Sequence, residues 1–218
     1  MNFKILSPET TIIYDCVEIG ENSVVEPYAL LGINDRFHPE STLIIGKNAF
    51  IGSRCTIYTN VKAGNNFDVS DQTSIFTDNQ FGDDVRIGPK SVIKNGCRVG
   101  NNVRINSQVF MERVILEDNV FIGPHTVFSD DLHPPCPRYE DCVPKAHVES
   151  FVSIGANVFI APGVRIGHHT QIYGGSTVLS DVESNSVIAG NPGKVVKKFS
   201  DLECRPGFFK KPFEWWDD

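Results

Sequence analysis

Residues 45–64 read IGKNAFIGSRCTIYTNVKAG and place an apolar residue at every sixth position. All twelve positions at this spacing from Ile45 to Met111 are apolar. The same spacing covers further apolar positions before and after this run, namely Ile13, Ile19, Val25, Leu31, Leu116, Ile122, Phe128, Val148, Ile154, Ile160, Ile166, Ile172 and Val178. Six is a multiple of the strand period of two and not of the helical period, so the pattern predicts strands.

The glycines indicate a corner at the end of each strand. Glycine comes directly after the apolar position at eleven places, where its lack of a Cβ and its tolerance of positive φ would suit a corner. Hexapeptide repeats are typical of parallel β-helices, in which three hexads complete one triangular coil. We therefore predict an all-β fold, a parallel β-helix of about eight coils with an extruded loop and a short C-terminal tail. A sandwich or barrel is disfavoured because its turns recur every 8–12 residues.

The domain organisation can be read from the breaks in the spacing. We predict one β-helix domain over residues 1–195, with extra loops at 32–44 and 129–147, and a tail over 196–218. The second loop holds three prolines within four positions, two cysteines and two histidines, so we predict that it lines the active site. The aromatic tail should cover the end of the prism or pack on a neighbouring subunit.

Composition excludes several classes of function. The net charge of −7 and the pI of 5.4 argue against a nucleic-acid partner. No run of eighteen apolar residues occurs, so no membrane span is expected. The N-terminus lacks a secretory pattern and the six cysteines are scattered, which favours a cytoplasmic protein.

The [LIV]-G-x4 repeat and the ending VIAGNPGKVVKKF (187–199) resemble the hexapeptide-repeat acyltransferases. This resemblance implies a left-handed helix, acetyl-CoA as the acyl donor, and a homotrimer with the donor in a groove between prisms. Small residues would admit the pantetheine, and a C-terminal group would hold the adenine and phosphates. The implied cofactor-binding residues are Ala161, Gly163, Gly174, Gly175, Ser176, Asn191, Pro192, Lys194 and Lys197. Lysine serves as a point charge for phosphate.

The segment FIGPHTVFSDDLHPP (121–135) resembles the stretch that ends at the catalytic histidine of sugar and maltose-type O-acetyltransferases. His133 falls on that position, and an imidazole is the usual base for an attacking hydroxyl or amine. Asp130 or Asp131 could orient its ring. His125 is the competing candidate for the base.

The same stretch also resembles N-acetyltransferases that act on nucleotide-linked amino sugars, which often lack this histidine. That branch implies Asn106 and Glu112 as acceptor-binding residues, and we add Arg138 and Tyr139 of the long loop. The predicted function is direct acetyl transfer, in a ternary complex, to an amino or hydroxyl group of a sugar. We favour a nucleotide-linked amino sugar as the acceptor.

Other classes stay open from the sequence. A metal-dependent helix similar to the γ-class carbonic anhydrases is one, although the six histidines show no shared register. A non-catalytic scaffold is another. We expect no metal, and the weak candidate site is in the long loop, where Cys136, Cys142 and His147, with His133, could form a tetrahedral zinc site.

Overall fold

The computed structural model is a parallel β-helix and describes residues 3–35, 38–142, 144–204 and 206–214. Its strands in chain order are β1 (Lys4–Ile5), β2 (Ile12–Ile13), β3 (Val17–Ile19), β4 (Val24–Val25), β5 (Leu30–Ile33), β6 (Leu43–Ile45), β7 (Phe50–Ile51), β8 (Thr56–Tyr58), β9 (Val61–Ala63), β10 (Asp68–Val69), β11 (Ser74–Ile75), β12 (Asn79–Phe81), β13 (Arg86–Ile87), β14 (Val92–Ile93), β15 (Arg98–Val99), β16 (Arg104–Ile105), β17 (Phe110–Met111), β18 (Val114–Leu116), β19 (Phe121–Ile122), β20 (Val127–Phe128), β21 (Ala146–Val148), β22 (Val152–Ile154), β23 (Phe159–Ile160), β24 (Arg165–Ile166), β25 (Thr170–Ile172), β26 (Thr177–Val178), β27 (Ser186–Ala189) and β28 (Lys194–Lys198). A short helix α1 (Tyr139–Cys142) lies between β20 and β21, and a 3-10 turn (Phe199–Asp201) comes after β28.

Every third strand belongs to the same sheet. Sheet I runs β1-β4-β7-β10-β13-β16-β19-β22-β25-β27-β28, sheet II runs from β2 to β26 through nine strands, and sheet III runs from β3 to β24 through eight. All pairs are parallel except β27 with β28. The ten parallel strands of sheet I give about ten coils, so the prediction of about eight was low. It missed β1 and β27, which lie outside the counted run of hexads. Handedness stays a prediction.

The core confirms the predicted register. All twelve apolar positions from Ile45 to Met111 are buried, and residues eighteen apart stack directly, as Val69 does between Ile51 and Ile87. The structure adds a second buried ladder two residues before the first, because residues i and i+2 of a strand face the same side. Its members are smaller or polar in several coils, and they include Ala49, Cys55, Val61, Phe67, Thr73, Asn79, Val85, Ser91, Cys97 and Val103.

The glycines have a different role from the predicted one. Of the eleven glycines that come directly after the apolar position, Gly32 alone has positive φ. The left-handed residue comes two positions later, as at Asn48 and Asn66, whose amides also join successive coils at 3.2 Å. Gly46 is required by close approach instead, since a Cβ there would lie 2.5 Å from the carbonyl oxygen of Gly64. Asparagine tolerates the left-handed region better than most residues.

Gly46→Ala should therefore destabilise the protein, because backbone of the next coil cannot yield to a methyl group. We expect a loss of about 1–3 kcal/mol or more in the free energy of unfolding. Urea denaturation followed by circular dichroism measures it. The matched control is Lys47→Ala, which removes an exposed ion pair with Glu21 and should cost about 0–1 kcal/mol. Equal stability of the two variants would contradict the close-packing argument.

Connections between sheets define three edges of the prism. Edge 1 joins sheet I to sheet II, edge 2 joins sheet II to sheet III, and edge 3 joins sheet III to sheet I. Both inserts leave from edge 2, as residues 34–42 between β5 and β6 and residues 129–145 between β20 and β21. They are shorter than the predicted 32–44 and 129–147 because their first or last residues belong to strands. The apolar spacing is five instead of six between Met111 and Leu116, and the shortened connection on the same edge turns at Arg113, with φ of 54°.

The predicted domain boundary at residue 195 falls within β28. Beyond it, the tail folds back on its own prism, where the ring of Phe213 stacks on Phe199 at 5.4 Å and Phe199 meets His169 at 6.0 Å. Phe208 and Phe209 are exposed. The predicted contacts of Trp215 and Trp216 lie outside the described residues. None of the helices within the described ranges has the length and apolar composition of a membrane span.

Candidate functional site

Several of the predicted site residues lie on edge 2. The second insert carries His133, and the next connection along this edge, 161–164, carries Ala161 and Gly163. The preceding connection carries Glu112, which is half-buried. Successive coils are about 4.8 Å apart, so the ends of the second insert lie one coil from the connection that carries Ala161 and Gly163. The insert that carries the predicted base thus leaves the prism beside two of the predicted cofactor residues.

Asp131 organises the turn that presents His133. One carboxylate oxygen of Asp131 accepts the backbone N–H of His133 at 2.8 Å, and the other accepts that of Cys136 at 3.0 Å. The carboxylate therefore fixes the path of the loop, whereas an interaction with the His133 ring stays a prediction. The His133 side chain is exposed, and Asp130 is half-buried beside it.

The other predicted loop residues sit on or next to α1. The guanidinium of Arg138 donates to Asp141 at 3.0 Å, and both side chains are exposed. Tyr139 begins the helix, and its side chain lies outside what the structure describes. Both are placed on edge 2 near His133, where binding of an acceptor stays a prediction.

The weak metal candidate is divided by the fold. The sulfur atoms of Cys136 and Cys142 are 3.9 Å apart. His147 lies in β21 instead, where its Nε2 is 2.9 Å from one carboxylate oxygen of Glu117. The other oxygen of that carboxylate accepts a hydrogen bond from the Ser150 hydroxyl. The described ranges contain no group of three or more metal-ligating side chains.

Edge 1 collects the other part of the predicted site. Asn106, His125, Gly174, Gly175 and Ser176 all lie in connections from sheet I to sheet II. His125 is exposed and occupies the left-handed corner with φ of 60°. A Cβ at Gly175 would meet no atom within 4 Å, so the backbone there is open to a ligand. Asn106 is tied to the next coil, since its amide donates to the Ile122 carbonyl of β19 at 3.1 Å.

Two backbone hydrogen bonds join the C-terminal ending, residues 187–199, to Thr177 of β26. The Thr177 N–H donates to the Gly190 carbonyl at 3.0 Å, and the Gly193 N–H donates to the Thr177 carbonyl at 2.7 Å. Between these two bonds lies the turn of Asn191 and Pro192, which are joined by a cis peptide bond. Lys194 and Lys197 come next, on β28, with exposed side chains. The ending thus lies beside the coil that carries Gly175 and Ser176.

The first insert forms a polar cluster that the sequence did not predict. The Asp35 carboxylate is 3% exposed, accepts the Thr77 hydroxyl at 2.8 Å and lies 2.7 Å from Nδ1 of His38. The Asp35 N–H donates to Thr59 at 2.9 Å. Threonines at matching positions of two coils therefore anchor the insert. The sequence contained one signal for this cluster. Thr59 and Thr77 are eighteen residues apart, which places them at the same position of successive coils.

Two cations lie at or beside edge 2, Lys145 at the end of the second insert and Arg98 at the start of β15. The Lys145 ammonium donates to the Gly96 carbonyl at 2.6 Å, and Arg98 pairs with Asp78 at 2.7 Å. Burial lowers the pKa of Lys145, and the positive charges of Arg98 and Arg113 lower it further. The Arg98 charge is balanced by Asp78, and the second insert itself carries four acidic and two basic residues.

The outward face of sheet II carries no charge. Its residues, one from each strand, are Ile12, Leu30, Thr56, Ser74, Val92, Phe110, Val127, Phe159 and Thr177. The outward positions of the other two sheets include charged side chains such as Asp68, Arg86 and Arg104 on sheet I and Glu18 and Lys62 on sheet III. Sheet II lies between edge 1 and edge 2, so the uncharged face separates the two parts of the predicted site.

Two surface cavities lie away from the His133 loop, and one of them includes Asn106 of edge 1. One of about 310 Å³ is lined by His169, Phe199, Lys210 and Phe213 beneath the tail. Another of about 210 Å³ is lined by Arg86, Arg104 and Asn106 on sheet I. Neither includes His133, whose loop stands at an open edge.

Comparisons with known proteins agree with this architecture. Residues 80–113 match the family model of the bacterial transferase hexapeptide (six repeats), and residues 42–70 match that of the hexapeptide repeat of succinyl-transferase. A galactoside O-acetyltransferase of Lactococcus lactis is 32% identical over 96 residues, covering 42% of this chain and 46% of that protein. A 2,3,4,5-tetrahydropyridine-2,6-dicarboxylate N-acetyltransferase of Staphylococcus aureus is 34% identical over 85 residues, covering 39% and 33%. The chain thus spans half or less of the length of these relatives.

Among solved structures, a UDP-N-acetylglucosamine acyltransferase from Bacteroides fragilis superposes with a TM-score of 0.59. The match covers 92% of this chain and 78% of that chain at 17% sequence identity, and it shows that the two share a fold. The chain resembles the hexapeptide-repeat transferases, as its sequence predicted, and the matched relatives named above are acetyltransferases.

Proposed function

We propose that this chain is an acetyl-CoA-dependent acetyltransferase that acts on an amino or hydroxyl group of a sugar. The observation that carries the proposal is the placement of the second insert. The insert that carries His133 leaves the prism one coil from the connection of Ala161 and Gly163, on a repeat scaffold whose matched relatives are named acetyltransferases. Repeat scaffolds gain no stability from such a loop, and function concentrates on loops held by rigid elements.

The two edges contribute different groups to the reaction. Acetyl-CoA supplies the activated acetyl group when bound. The open backbone at Gly175 admits the pantetheine arm, and Lys194 and Lys197 face its phosphates with positive charge. His133 accepts the proton of the attacking acceptor and returns it to the departing thiolate, so the acetyl group passes directly in a ternary complex.

A homotrimer would unite the two parts of the site. Edge 1 and edge 2 of one prism are separated by the width of sheet II, so His133 and Gly175 of one chain do not share a groove. When the uncharged face of sheet II packs on a neighbouring prism, edge 2 of one chain can meet edge 1 of the next. A head-to-tail arrangement of this kind closes into a ring.

We expect light scattering to report a trimer at micromolar concentration. Val127→Asp, on the exposed sheet II face, should dissociate it, because a charge would be buried without a partner. Gln80→Asp, exposed on sheet III, is the control and should leave the trimer intact. A monomeric wild-type protein would contradict the shared site.

The finer proposal is a nucleotide-linked amino sugar as acceptor. It is supported by the resemblance of residues 105–124 and 127–134 to that branch and by the cations Arg98 and Lys145 beside the loop. A diphosphate is a suitable partner for such a group. Half-buried Glu112 and the histidine of the loop would then lie at the amine.

The test is a panel of amino sugars, nucleotide-linked amino sugars and simple glycosides, each incubated with acetyl-CoA. Thiol release gives the rate, and the mass of the product gives the acceptor and the number of acetyl groups. We expect release only in the presence of a sugar, and fastest with nucleotide-linked amino sugars. Release no faster than the protein-free background with every acceptor would contradict the proposed activity.

A further inference from the structure

Two cysteines stand close together in the second insert. The sulfur atoms of Cys136 and Cys142 are 3.9 Å apart, and the Cys142 side chain is exposed. A disulfide bond is about 2.0 Å long, so the two sulfur atoms need to approach by about 1.9 Å for a bond to form. The insert is the same segment that presents His133.

The pair connects two parts of this loop. Cys136 belongs to the turn that Asp131 organises, since its N–H donates to the same carboxylate that accepts the His133 N–H. Cys142 ends the helix α1, and its thiol donates to the Arg138 carbonyl at 3.3 Å. A bond between them would tie α1 to the turn of His133.

We propose that Cys136 and Cys142 are an oxidative modification site, forming a reversible disulfide that shifts the His133 turn and slows acetyl transfer. The effect on transfer rests on the proposed function, whereas formation of the disulfide does not. The other cysteines of the chain are separated from this pair in the fold. Cys55 and Cys97 are buried in the core, while Cys16 and Cys204 lie outside the insert.

The chemistry is a thiol–disulfide exchange with a low-molecular-weight disulfide. One cysteine thiolate attacks a sulfur of the oxidant, forms a mixed disulfide and releases one small thiolate. The second cysteine thiolate then attacks the protein sulfur of that mixed disulfide and releases the other. The two protein thiols lose two protons and two electrons, and the oxidant is reduced to two thiols.

The proximity of the two sulfur atoms selects this pair, and burial separates it from the two core cysteines. Burial raises the pKa of Cys55 to about 11 and that of Cys97 to about 12, so their thiolates are scarce. The pKa of Cys142 is also raised, first by its hydrogen bond with Cys136, then by burial and the Asp131 and Asp141 carboxylates. Exchange should therefore accelerate at alkaline pH, which sets the test at pH 8.

The experiment treats the full-length reduced protein with oxidised glutathione and measures intact mass, peptide mass and acetyl-transfer rate. We expect a loss of about 2 Da, a peptide that links Cys136 to Cys142, and a fall of about tenfold or more in kcat, since misplacing a catalytic group by about 1 Å can cost about 100-fold. Dithiothreitol should restore both mass and rate.

The Cys136→Ser variant should keep its acetyl-transfer rate when treated with oxidised glutathione. The matched control Cys204→Ser should lose that rate, as the wild type does. No cross-link, or one that joins other cysteines, would overturn the proposal. A correct cross-link with an unchanged rate would overturn its effect on the site. If the reduced protein transfers no acetyl group to any sugar, the proposed function fails, and peptide mass still decides whether the disulfide forms.

Discussion

Ile87→Asp abolishes soluble expression, the largest effect that we expect from a single substitution. Ile87 is fully buried in β13, stacked between Val69 and Ile105 of the adjacent coils. A carboxylate at this position would lose its hydration without gaining a partner, at a cost that is large beside the usual stability of about 5–15 kcal/mol. Expression and solubility in a standard host measure the outcome.

A graded substitution keeps this prediction quantitative. Ile87→Ala should remain folded and lose about 2–5 kcal/mol in the free energy of unfolding. Arg86→Ala, the adjacent outward residue of the same strand, is the control and should change stability by about 0.5 kcal/mol or less. Normal folding of Ile87→Asp would show that the register of the coils is wrong.

His133→Ala should lower kcat by about 10²–10⁴-fold, the usual contribution of a general base. The KM for acetyl-CoA should change little, because the proposed donor groove lies along the last coils and not along the insert. His168→Ala provides the matched control, since this exposed histidine lies on edge 3 away from both parts of the site. Its kcat should equal that of the wild type.

The pH dependence of the variant identifies the acceptor class. With an amine acceptor, the rate of His133→Ala should rise between about pH 6 and 9.5, because free amine replaces the missing base. A hydroxyl acceptor would show no such recovery. Full activity of the variant at pH 7 would remove His133 from the mechanism, and His125→Ala would then be the next variant to measure.

The fold was predictable from the sequence because one repeated contact generates it. Each apolar residue of the hexad stacks on its copy in the next coil, so the spacing alone identified the buried ladder from Ile45 to Met111. The role of Gly46 was not predictable in the same way. Its constraint is the backbone of Gly64, eighteen residues away, and the neighbouring asparagine takes the positive φ.

The candidate site was predictable in position and not in detail. Fifteen hexads separate Leu31 from Phe128, a multiple of three, so counting alone could have placed both inserts on the same edge. The contacts of Asp35 with His38 and Thr77 depend on how the first insert folds, which obeys no repeat. The division of the predicted residues between edge 1 and edge 2 required the sheet order.

Complementation between two inactive variants tests the shared acetyl-transfer site most directly. His133→Ala disables edge 2, and Gly175→Trp fills the open backbone of edge 1. Each variant alone should be inactive. Randomly mixed trimers made by coexpression should recover about a quarter of the wild-type rate of thiol release, since one site in four would join an intact edge 2 to an intact edge 1. Recovery at that level is the predicted result, and no recovery from verified mixed trimers would contradict a site built between chains.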